Sequence, residues 1–331
     1  STPALAAAVS NAGGLGSLGC AYMQPEAIRK TIRDTRALTD KPIGINLFVV
    51  PSGDADPAKV AVARAILGPW RDRYGVADAL PSLTHPDLDA QLAVILDEKP
   101  AILSYTFGPL PADRVAALKA AGIVVVGTAT TVPEAIRLEA DGVDAIAAQG
   151  AEAGAHRGSF LAPAEDSMVG LMALVPAMVD RVKVPVIAAG GIMDGRGIAA
   201  ALMLGAAGVQ LGTAFLASPE SGASPVWKRT LLGQTADTTR VTRAFSGRAA
   251  RGMRNDFMDE IGARQDELPG FPALNALTRG IRGAAAKQGE PQALSLWAGQ
   301  AAPLARNLPA GALVRILVEE TGRRLDEGFP G

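Results

Sequence analysis

Short apolar segments alternate with helical patterns along roughly the first 217 residues of the chain. The short segments are rich in Val, Ile, Leu, Ala and Gly, and continuous apolar runs of this length are typical of parallel strands covered on both faces. We therefore predict seven buried strands, at Leu15–Cys20, Pro42–Phe48, Ala101–Phe107, Ile123–Thr128, Ala145–Gln149, Pro185–Gly190 and Gly208–Leu216.

Helical patterns fill the intervals between these strands. Several of them are followed by glycine, at Gly122, Gly142 and Gly205, which is the residue that most often ends a helix in a left-handed conformation. Alternation of strand and helix predicts a parallel α/β sheet, either open or closed. The predicted helices include Pro3–Asn11, Ala112–Ala121, Val132–Ala140, Met168–Asp180 and Gly195–Leu204.

The number of strands bears on how the sheet is completed. Seven is one fewer than the eight strands that close a (β/α)₈ barrel. The chain opens with the helical pattern Pro3–Asn11, and the strand before that helix would lie before Ser1. We therefore expect an α/β TIM barrel whose first strand is absent from this chain.

Two regions depart from the alternation of strand and helix. Residues 55–99 predict a helical insertion, and from about Pro219 onward Arg, Asp, Gly and Pro become frequent while strand-like runs disappear. We predict a barrel over residues 1–218 and a mainly helical domain over residues 219–331 that caps the barrel mouth. The helices predicted in these two regions are Pro57–Leu67, Pro86–Glu98, Ala293–Ala305 and Leu313–Arg324.

Composition narrows the classes of function. The formal net charge is −1, and Lys and Arg are interspersed with acids, so we expect neither a nucleic-acid partner nor a membrane-surface partner. One cysteine excludes an intramolecular disulfide, and two isolated histidines have none of the usual metal-ligand spacings. No apolar segment has the length of a membrane span, and no signal-peptide pattern is present. We expect a cytoplasmic protein that binds no metal.

The segment from Gln149 to Gly158 carries one of the two histidines, His156, among small residues that follow a predicted strand. Functional groups collect on loops after the carboxyl ends of parallel strands. Gly154 and Ala155 would let a planar ring or a phosphate approach the backbone closely, and a neutral imidazole can take up a proton near neutral pH. We predict that His156 contacts a ligand or catalyses a reaction, whereas His85 is interpreted as a surface turn residue.

Two consecutive predicted strands end in glycine-rich loops. Backbone N–H groups in such loops and at helix N-termini bind phosphate, and the loops after strands 7 and 8 of α/β barrels do so frequently. These loops take those places if the first strand is absent, so we predict a phosphate site. Asn46, a polar amide in an apolar run, is either a satisfied core amide or a ligand contact. The glycine-rich loops contain Gly190, Gly191, Gln210, Leu211, Gly212 and Thr213.

Several stretches together resemble the nitronate monooxygenases, formerly called 2-nitropropane dioxygenases. The resemblance runs through nearly the whole chain. Within the family, the chain is most similar to the class that has a helical C-terminal portion. It implies a TIM barrel that holds FMN noncovalently. The stretches that carry the resemblance are Ser10–Gly16, Asp40–Phe48, Gln149–Gly158, Ala188–Gly197, Val209–Thr213, Phe245–Arg251 and Leu296–Gln300.

The resemblance also implies roles for individual residues. The family usually has two glycines before the histidine, whereas this chain has Gly154 and Ala155. Alanine at the second position would strain the loop if its φ is positive. By motif position, Asn46, Gln149 and Gly154 would face the flavin or its tail, Gly191 and Gln210 to Thr213 would hold the ribityl phosphate region, and His156 would be the catalytic histidine beside the isoalloxazine ring.

The reaction implied by the resemblance is FMN-dependent oxidation of alkyl nitronates, such as propionate 3-nitronate, by O₂ to a carbonyl compound and nitrite. One alternative is an FMN-dependent enoyl-acyl carrier protein reductase that uses NAD(P)H and has a similar histidine loop. The continuation Arg157–Phe160 favours the monooxygenases. The other alternative is a noncatalytic flavin-binding barrel, which fold alone does not exclude. The sequence assigns no oligomeric state.

Overall fold

The computed structural model describes residues 1–50 and 55–327. A parallel sheet of seven strands forms its centre, in the order β1-β2-β3-β4-β5-β7-β8, and a second sheet has the order β6-β10-β9. The strands of the described residues are β1 (Gly16–Gly19), β2 (Ile43–Phe48), β3 (Ile102–Thr106), β4 (Val124–Ala129), β5 (Ala145–Gln149), β6 (Ala155–His156), β7 (Val186–Ala189), β8 (Gly208–Gln210), β9 (Thr239–Thr242) and β10 (Ala250–Met253).

Helices surround the central sheet, and most of them begin at a capping side chain or at proline. In the described residues they are α1 (Pro3–Asn11), α2 (Pro25–Arg36), α3 (Pro57–Ile66), α4 (Gly68–Tyr74), α5 (Leu88–Glu98), α6 (Ala112–Ala120), α7 (Val132–Ala140), α8 (Leu171–Val179), α9 (Gly195–Met203), α10 (Pro225–Leu232), α11 (Asp256–Gly262), α12 (Ala273–Gln288) and α13 (Ala310–Asp326). Across the residues that the structure describes, none of these helices has the length and apolarity needed to cross a membrane.

The central sheet confirms the predicted α/β class with a TIM-barrel-like fold. Its strands run parallel and pair with their neighbours along the chain, because each βα unit returns the chain to the same edge of the sheet. The side chains of Ile45, Leu103, Val125 and Ile146 are completely buried, as expected for strands covered on both faces. The outermost strands, β1 and β8, do not pair with each other within the described residues.

The last central strand is shorter than the sequence predicts. Strand β8 ends at Gln210, and a 3₁₀ helix occupies Thr213–Phe215 within the segment predicted as Gly208–Leu216. The apolar residues of this segment leave the sheet because Ala214 packs instead against Leu313 and Leu317 of α13. The chain therefore turns at the carboxyl edge of the sheet, next to the ends of the other strands.

The region after Pro219 contains strands, contrary to the prediction that strand-like runs disappear. Strands β9 and β10 form an antiparallel pair, and β10 also pairs with β6. The segment Ala293–Ala305 is not the predicted helix, because only 3₁₀ turns at Pro291–Ala293 and Ala302–Leu304 occur there. The backbone between these turns bonds to β10 instead, with Met253 N–H donating to the Leu296 carbonyl at 2.9 Å.

A second hydrophobic cluster lies outside the sheet. Trp70 of α4 packs against Phe257 of α11 with ring centroids 4.9 Å apart, and α3 belongs to the same cluster. In contrast, α5 contributes Leu92 and Ile95 to the cluster around the sheet. The helices predicted as one insertion thus divide between the two clusters. The division into domains at residue 218 stays a prediction. The last residues of the predicted second domain, 328–331, lie outside the described residues.

Candidate active site

His156 lies where the two sheets meet. The residue belongs to β6 and faces Ala250 of β10 in an antiparallel register. Two further bonds hold this junction: Arg157 N–H donates to the Ala249 carbonyl at 2.8 Å, and Arg251 Nε donates to the Ala151 carbonyl at 3.1 Å. The hairpin β9–β10, which sequence patterns did not predict, therefore fixes the backbone on either side of the histidine.

The side-chain amide of Gln149 closes the histidine loop onto the end of β5. Its Nε2 donates to the His156 carbonyl at 3.0 Å, and its Oε1 accepts from the Gly158 N–H at 2.8 Å. Glu152 does not bond to the histidine loop. Its carboxylate accepts a hydrogen bond from the Leu171 N–H at the start of α8. The sequence spacing of four between Glu152 and His156 thus produces no contact between the two side chains.

The imidazole of His156 is held by Ser246. Its Nε2 lies 2.9 Å from Ser246 Oγ, and that hydroxyl also lies 3.1 Å from the Arg248 carbonyl oxygen. When the hydroxyl donates to this carbonyl, His156 carries its proton on Nε2; when the hydroxyl donates to Nε2, the proton lies on Nδ1. Rotation of one hydroxyl therefore makes His156 Nδ1 either an acceptor or a donor.

The environment keeps His156 neutral. The pKa of His156 is lowered from 6.5 to about 3, mainly by burial and secondly by the positive charges of Arg248 and Arg282. Desolvation and a neighbouring like charge both disfavour the imidazolium ion. Above about pH 3 this histidine acts through hydrogen bonds rather than through positive charge.

Four aromatic rings surround the imidazole, and we call them the aromatic cluster. The ring centroids lie 5.6 to 6.0 Å from that of His156, and all four rings are tilted or edge-on to it. Such rings present apolar surface to a bound planar group and exclude water from it. Chain patterns alone did not single out these residues, since they come from distant segments. The aromatic cluster consists of Phe48, Phe107, Phe271 and Trp297.

Two residues of the site have unfavourable backbone angles. Phe107 follows β3 with a φ of 87°, and Ala155 precedes the histidine with a φ of 64°. Positive φ is costly for residues with a Cβ atom and concentrates at functional sites. The strained backbone of Phe107 directs its ring beneath the guanidinium of Arg248, whose Cζ lies 3.9 Å from the ring centroid. The positive φ of Ala155 is the condition under which we expected alanine at this position to strain the loop.

His85 is not the surface turn residue that its sequence context predicts. Its ring lies 5.9 Å from Phe271 and 5.9 Å from Tyr22, and its Nε2 is shielded from solvent without a hydrogen-bond partner among the described residues. Nδ1 is 3.2 Å from the Pro86 carbonyl, so the proton lies on Nδ1 and Nε2 is an acceptor. Packing against Tyr22 and the aromatic cluster, which no local pattern reveals, leaves this residue half-buried.

One glycine-rich loop lies against the histidine loop, and the other bonds to the segment around Gly299. Gly190 and Gly191 have φ values of 125° and 66°, and a Cβ atom on Gly190 would come within 2.9 Å of the Ala153 nitrogen. On the other loop, Thr213 Oγ1 accepts from the Gly299 N–H at 3.0 Å. Leu211 packs against the cluster around the sheet, whereas Gln210 is exposed. Glycine is thus required at 190 for close contact between protein segments.

Several backbone donors on these loops are free. Within residues 1–50 and 55–327, the N–H groups of Gly191, Gly212 and Thr213 have no protein acceptor. A Cβ atom on Gly212 would meet nothing within 4 Å, so the space beside this loop is open. Unpaired backbone N–H groups on glycine-rich loops are the kind of donor that binds phosphate.

The first turn of α9 does not contribute to such a donor set. The Asp194 carboxylate accepts from the N–H groups of Arg196 and Gly197, and Glu320 Oε2 accepts from the Gly195 N–H at 3.0 Å. Two carboxylates therefore occupy the helix N-terminus where an anion would otherwise bind. The N-terminus of α9 therefore adds no free N–H group to those of the loops.

The two remaining predicted residues have contacts with the protein itself. A Cβ atom on Gly154 would lie 2.5 Å from the carbonyl carbon of Ala298, so glycine there permits two backbone segments to touch. Asn46 Nδ2 donates to Ser104 Oγ at 2.9 Å, while its Oδ1 makes no hydrogen bond within the described residues. Asn46 is therefore anchored in the sheet with one acceptor to spare. No group of His, Cys, Asp or Glu in the described part of the chain is placed to hold a metal ion.

Comparisons with known proteins identify the family to which the chain is similar. A model of the nitronate monooxygenase family matches residues 1–320. The chain is 48% identical to a nitronate monooxygenase of Paraburkholderia phytofirmans, over 99% of this chain and 91% of that protein. It is similar to the structure of nitroalkane oxidase from Streptomyces ansochromogenes, with a TM-score of 0.92, 41% identity and coverage of 98% and 92% of the two chains. FabK from Thermotoga maritima gives a TM-score of 0.77 at 32% identity, with coverage of 98% and 90%.

Proposed function

The chain belongs to the nitronate monooxygenase family, and from this premise we propose that it oxidises alkyl nitronates with FMN and O₂ to a carbonyl compound and nitrite. The observation that carries the proposal is the neutral His156, hydrogen-bonded to Ser246 and enclosed by the aromatic cluster. A small planar anion fits such a setting, because apolar rings exclude water while a few polar groups fix its orientation.

The free donors of the glycine-rich loops support FMN as the cofactor. The N–H groups of Gly191, Gly212 and Thr213 would hold the phosphate, since they have no protein acceptor and Gly212 borders open space. Asn46 Oδ1 would accept a hydrogen bond from the flavin. When bound, FMN supplies the electron acceptor for the nitronate and the route by which electrons reach O₂.

His156 would position the nitronate. With the Ser246 hydroxyl donating to Nε2, the imidazole carries its proton on Nδ1 and can donate it in a hydrogen bond to a nitronate oxygen. A nitronate has already lost its α-proton, so this reaction requires no general base. A histidine whose pKa has fallen to about 3 is also poorly suited to remove that proton from a neutral nitroalkane.

The direct test is nitrite release by the purified protein. We expect a flavin absorption spectrum and nitrite formation from propionate 3-nitronate in air. Replacement of His156 with Asn moves the hydrogen-bond donor away from its position, and we expect kcat/KM to fall by about 10²-fold or more, the effect of losing one positioned donor. Turnover at saturating O₂ that is unchanged in His156→Asn would show that this histidine does not carry the chemistry.

The same preparation separates the two alternatives. Rapid anaerobic reduction of the flavin by NADPH, together with no turnover of nitronate, would indicate an enoyl-acyl carrier protein reductase. A yellow protein that is inert towards nitronate, NADPH and enoyl thioesters would indicate a noncatalytic flavin-binding barrel. Ser246→Ala is the variant matched to His156→Asn. It leaves the imidazole of His156 in place and removes only the hydroxyl that selects the tautomer of that ring.

A further inference from the structure

Arg248 lies in the segment between β9 and β10 and joins that segment to the one that follows the histidine. Its guanidinium donates to two carbonyl oxygens there, from Nε to that of Arg157 at 3.3 Å and from Nη2 to that of Ser159. In return, Arg157 N–H donates to the Ala249 carbonyl at 2.8 Å. The two segments are therefore joined by hydrogen bonds in both directions.

The ring of Phe107 lies beneath this guanidinium. Arg248 Cζ is 3.9 Å from the ring centroid, which is close enough for a cation–π contact. The same ring is edge-on to the imidazole of His156, with centroids 5.6 Å apart, so one guanidinium links the histidine segment to the apolar wall of the site. Burial lowers the pKa of Arg248 to about 10, while the carboxylate of Glu134 acts in the opposite direction. The guanidinium therefore stays charged at neutral pH.

The main chain of Arg248 meets the hydroxyl that holds the histidine. Ser246 Oγ lies 2.9 Å from His156 Nε2 and 3.1 Å from the Arg248 carbonyl oxygen. A hydroxyl that donates to an oxygen atom usually lies about 2.5–3.0 Å from it, so the carbonyl is slightly too distant and the geometry favours donation to Nε2. With Nε2 as the acceptor, the neutral imidazole carries its proton on Nδ1.

The side chain of Arg248 keeps its own carbonyl at that distance. Because the guanidinium is bonded to the carbonyls of Arg157 and Ser159 and packs on Phe107, the backbone of Arg248 moves towards Ser246 only if those contacts break. Without the side chain, the carbonyl oxygen is free to approach and to accept the hydroxyl proton. The histidine proton then moves to Nε2, and Nδ1 loses its ability to donate.

We propose that Arg248 is a positioning residue that keeps the proton of His156 on Nδ1, so that Nδ1 can donate to the nitronate. The inference rests on the proposed function for the identity of the acceptor, and it deepens that function by naming the residue that selects the tautomer. Arg248 acts through Ser246 and His156 and not on the substrate itself.

Nitrogen NMR of FMN-loaded protein that carries isotope-labelled histidine measures the tautomer without turnover. The chain contains only two histidines, and the loss of one set of signals in His156→Asn assigns them. We expect a protonated Nδ1 and an unprotonated Nε2 for His156 in the wild type, and a mixture of both tautomers in Arg248→Met. A His156 that is protonated on Nε2 in the wild type, or whose signals are unchanged in Arg248→Met, would overturn the inference.

Kinetics and rescue test the consequence for turnover. We expect Arg248→Met to lower kcat/KM for propionate 3-nitronate about 10- to 100-fold, since a displacement of about 1 Å costs up to about 10²-fold. Arg248→Lys keeps the charge but not the planar set of donors that reaches two carbonyls, so we expect it to restore only part of the loss, and it is the second variant if Arg248→Met folds poorly.

Added cations separate geometry from charge in Arg248→Ala. Free guanidinium, far below the concentrations that unfold proteins, should restore both the wild-type tautomer and part of the activity, because it offers the same planar donors. Ammonium at the same concentration should not. Equal restoration by the two ions would overturn the inference in favour of a general positive field.

Arg240 provides the matched control. It lies on β9 of the same hairpin, is exposed, and its side chain makes no hydrogen bond or ion pair within the described residues. We expect Arg240→Met to keep the wild-type tautomer and to change kcat/KM by no more than about threefold, because an exposed charge is screened by solvent. The same change of tautomer in Arg240→Met as in Arg248→Met would overturn the assignment to Arg248.

The two measurements distinguish this inference from the proposed function. Nitronate turnover together with an unchanged tautomer in Arg248→Met overturns the inference alone. A tautomer that depends on Arg248 in a protein without nitronate turnover supports the positioning role and overturns the proposed function.

Discussion

Replacing Ala155 with glycine should stabilise the protein, although glycine usually destabilises. Ala155 has a φ of 64°, and a left-handed conformation costs an L-residue about 1–2 kcal/mol. Glycine removes that cost but adds freedom to the unfolded chain, which amounts to about 0.4–1 kcal/mol. The difference predicts a net stabilisation of about 1 kcal/mol, or an increase in Tm of about 2 °C for a chain of this size.

Ala153 in the same loop gives a control of opposite sign. Its φ is not among the positive values of the described residues, so Ala153→Gly relieves no strain and only adds freedom to the unfolded chain. We expect that variant to lose about 0.5–1 kcal/mol. The measurement is the urea midpoint followed by circular dichroism, at one fixed FMN concentration for all three proteins.

Opposite shifts for the two glycine variants would support a strained histidine loop in solution. Equal losses of stability in Ala153→Gly and Ala155→Gly would refute the reasoning, since they would mean that residue 155 has an ordinary φ. The outcome also bears on Ala155, which stands where the family usually has glycine. A stabilising glycine would mean that this chain tolerates a strained alanine where the family has a residue without strain.

Two further predictions concern buried ionisable side chains. Because burial lowers the pKa of His156 from 6.5 to about 3, the unfolded chain takes up a proton before the folded chain does as the pH falls, so stability is lost between about pH 6.5 and 3. The urea midpoint of His156→Asn should therefore fall less steeply over this pH range than that of the wild type. The buried carboxylate of Glu134 accepts from Thr130 N–H and from Phe160 N–H at 2.7 and 2.6 Å. Glu134→Gln should lower the free energy of unfolding by about 2 kcal/mol, and an unchanged urea midpoint would contradict that role.

Local sequence patterns predicted the strands of the central sheet well. An apolar run such as Val124–Ala129 has only one way to bury both of its faces, namely inside a sheet covered by helices. The pattern failed where burial came from distant partners. The segment 293–305 has a helical composition, yet its backbone pairs with β10 and its Trp297 ring packs on His156. No property of the segment itself reveals that partner.

The candidate site shows the same division. The sequence pointed to His156 through its small neighbours and its place after a strand, and to the glycine-rich loops through two consecutive strand ends. It gave the wrong interpretation for His85, because a histidine before proline is typical of a turn. It missed Phe107, whose neighbours give no sign of its positive φ.

The sequence by itself determined the alternation of strands and helices, and hence the edge of the sheet at which His156 and the glycine-rich loops meet. Only the tertiary structure decided what surrounds them. Ser246 lies 90 residues from His156 along the chain, Arg248 follows it closely, and Phe271 comes from a segment farther on. Hydrophobic periodicity records which face of a segment is buried, whereas the identity of its neighbours depends on how segments pack at long range. For that reason the histidine could be recognised from the sequence, while the hydroxyl, the rings and the arginine around it could not.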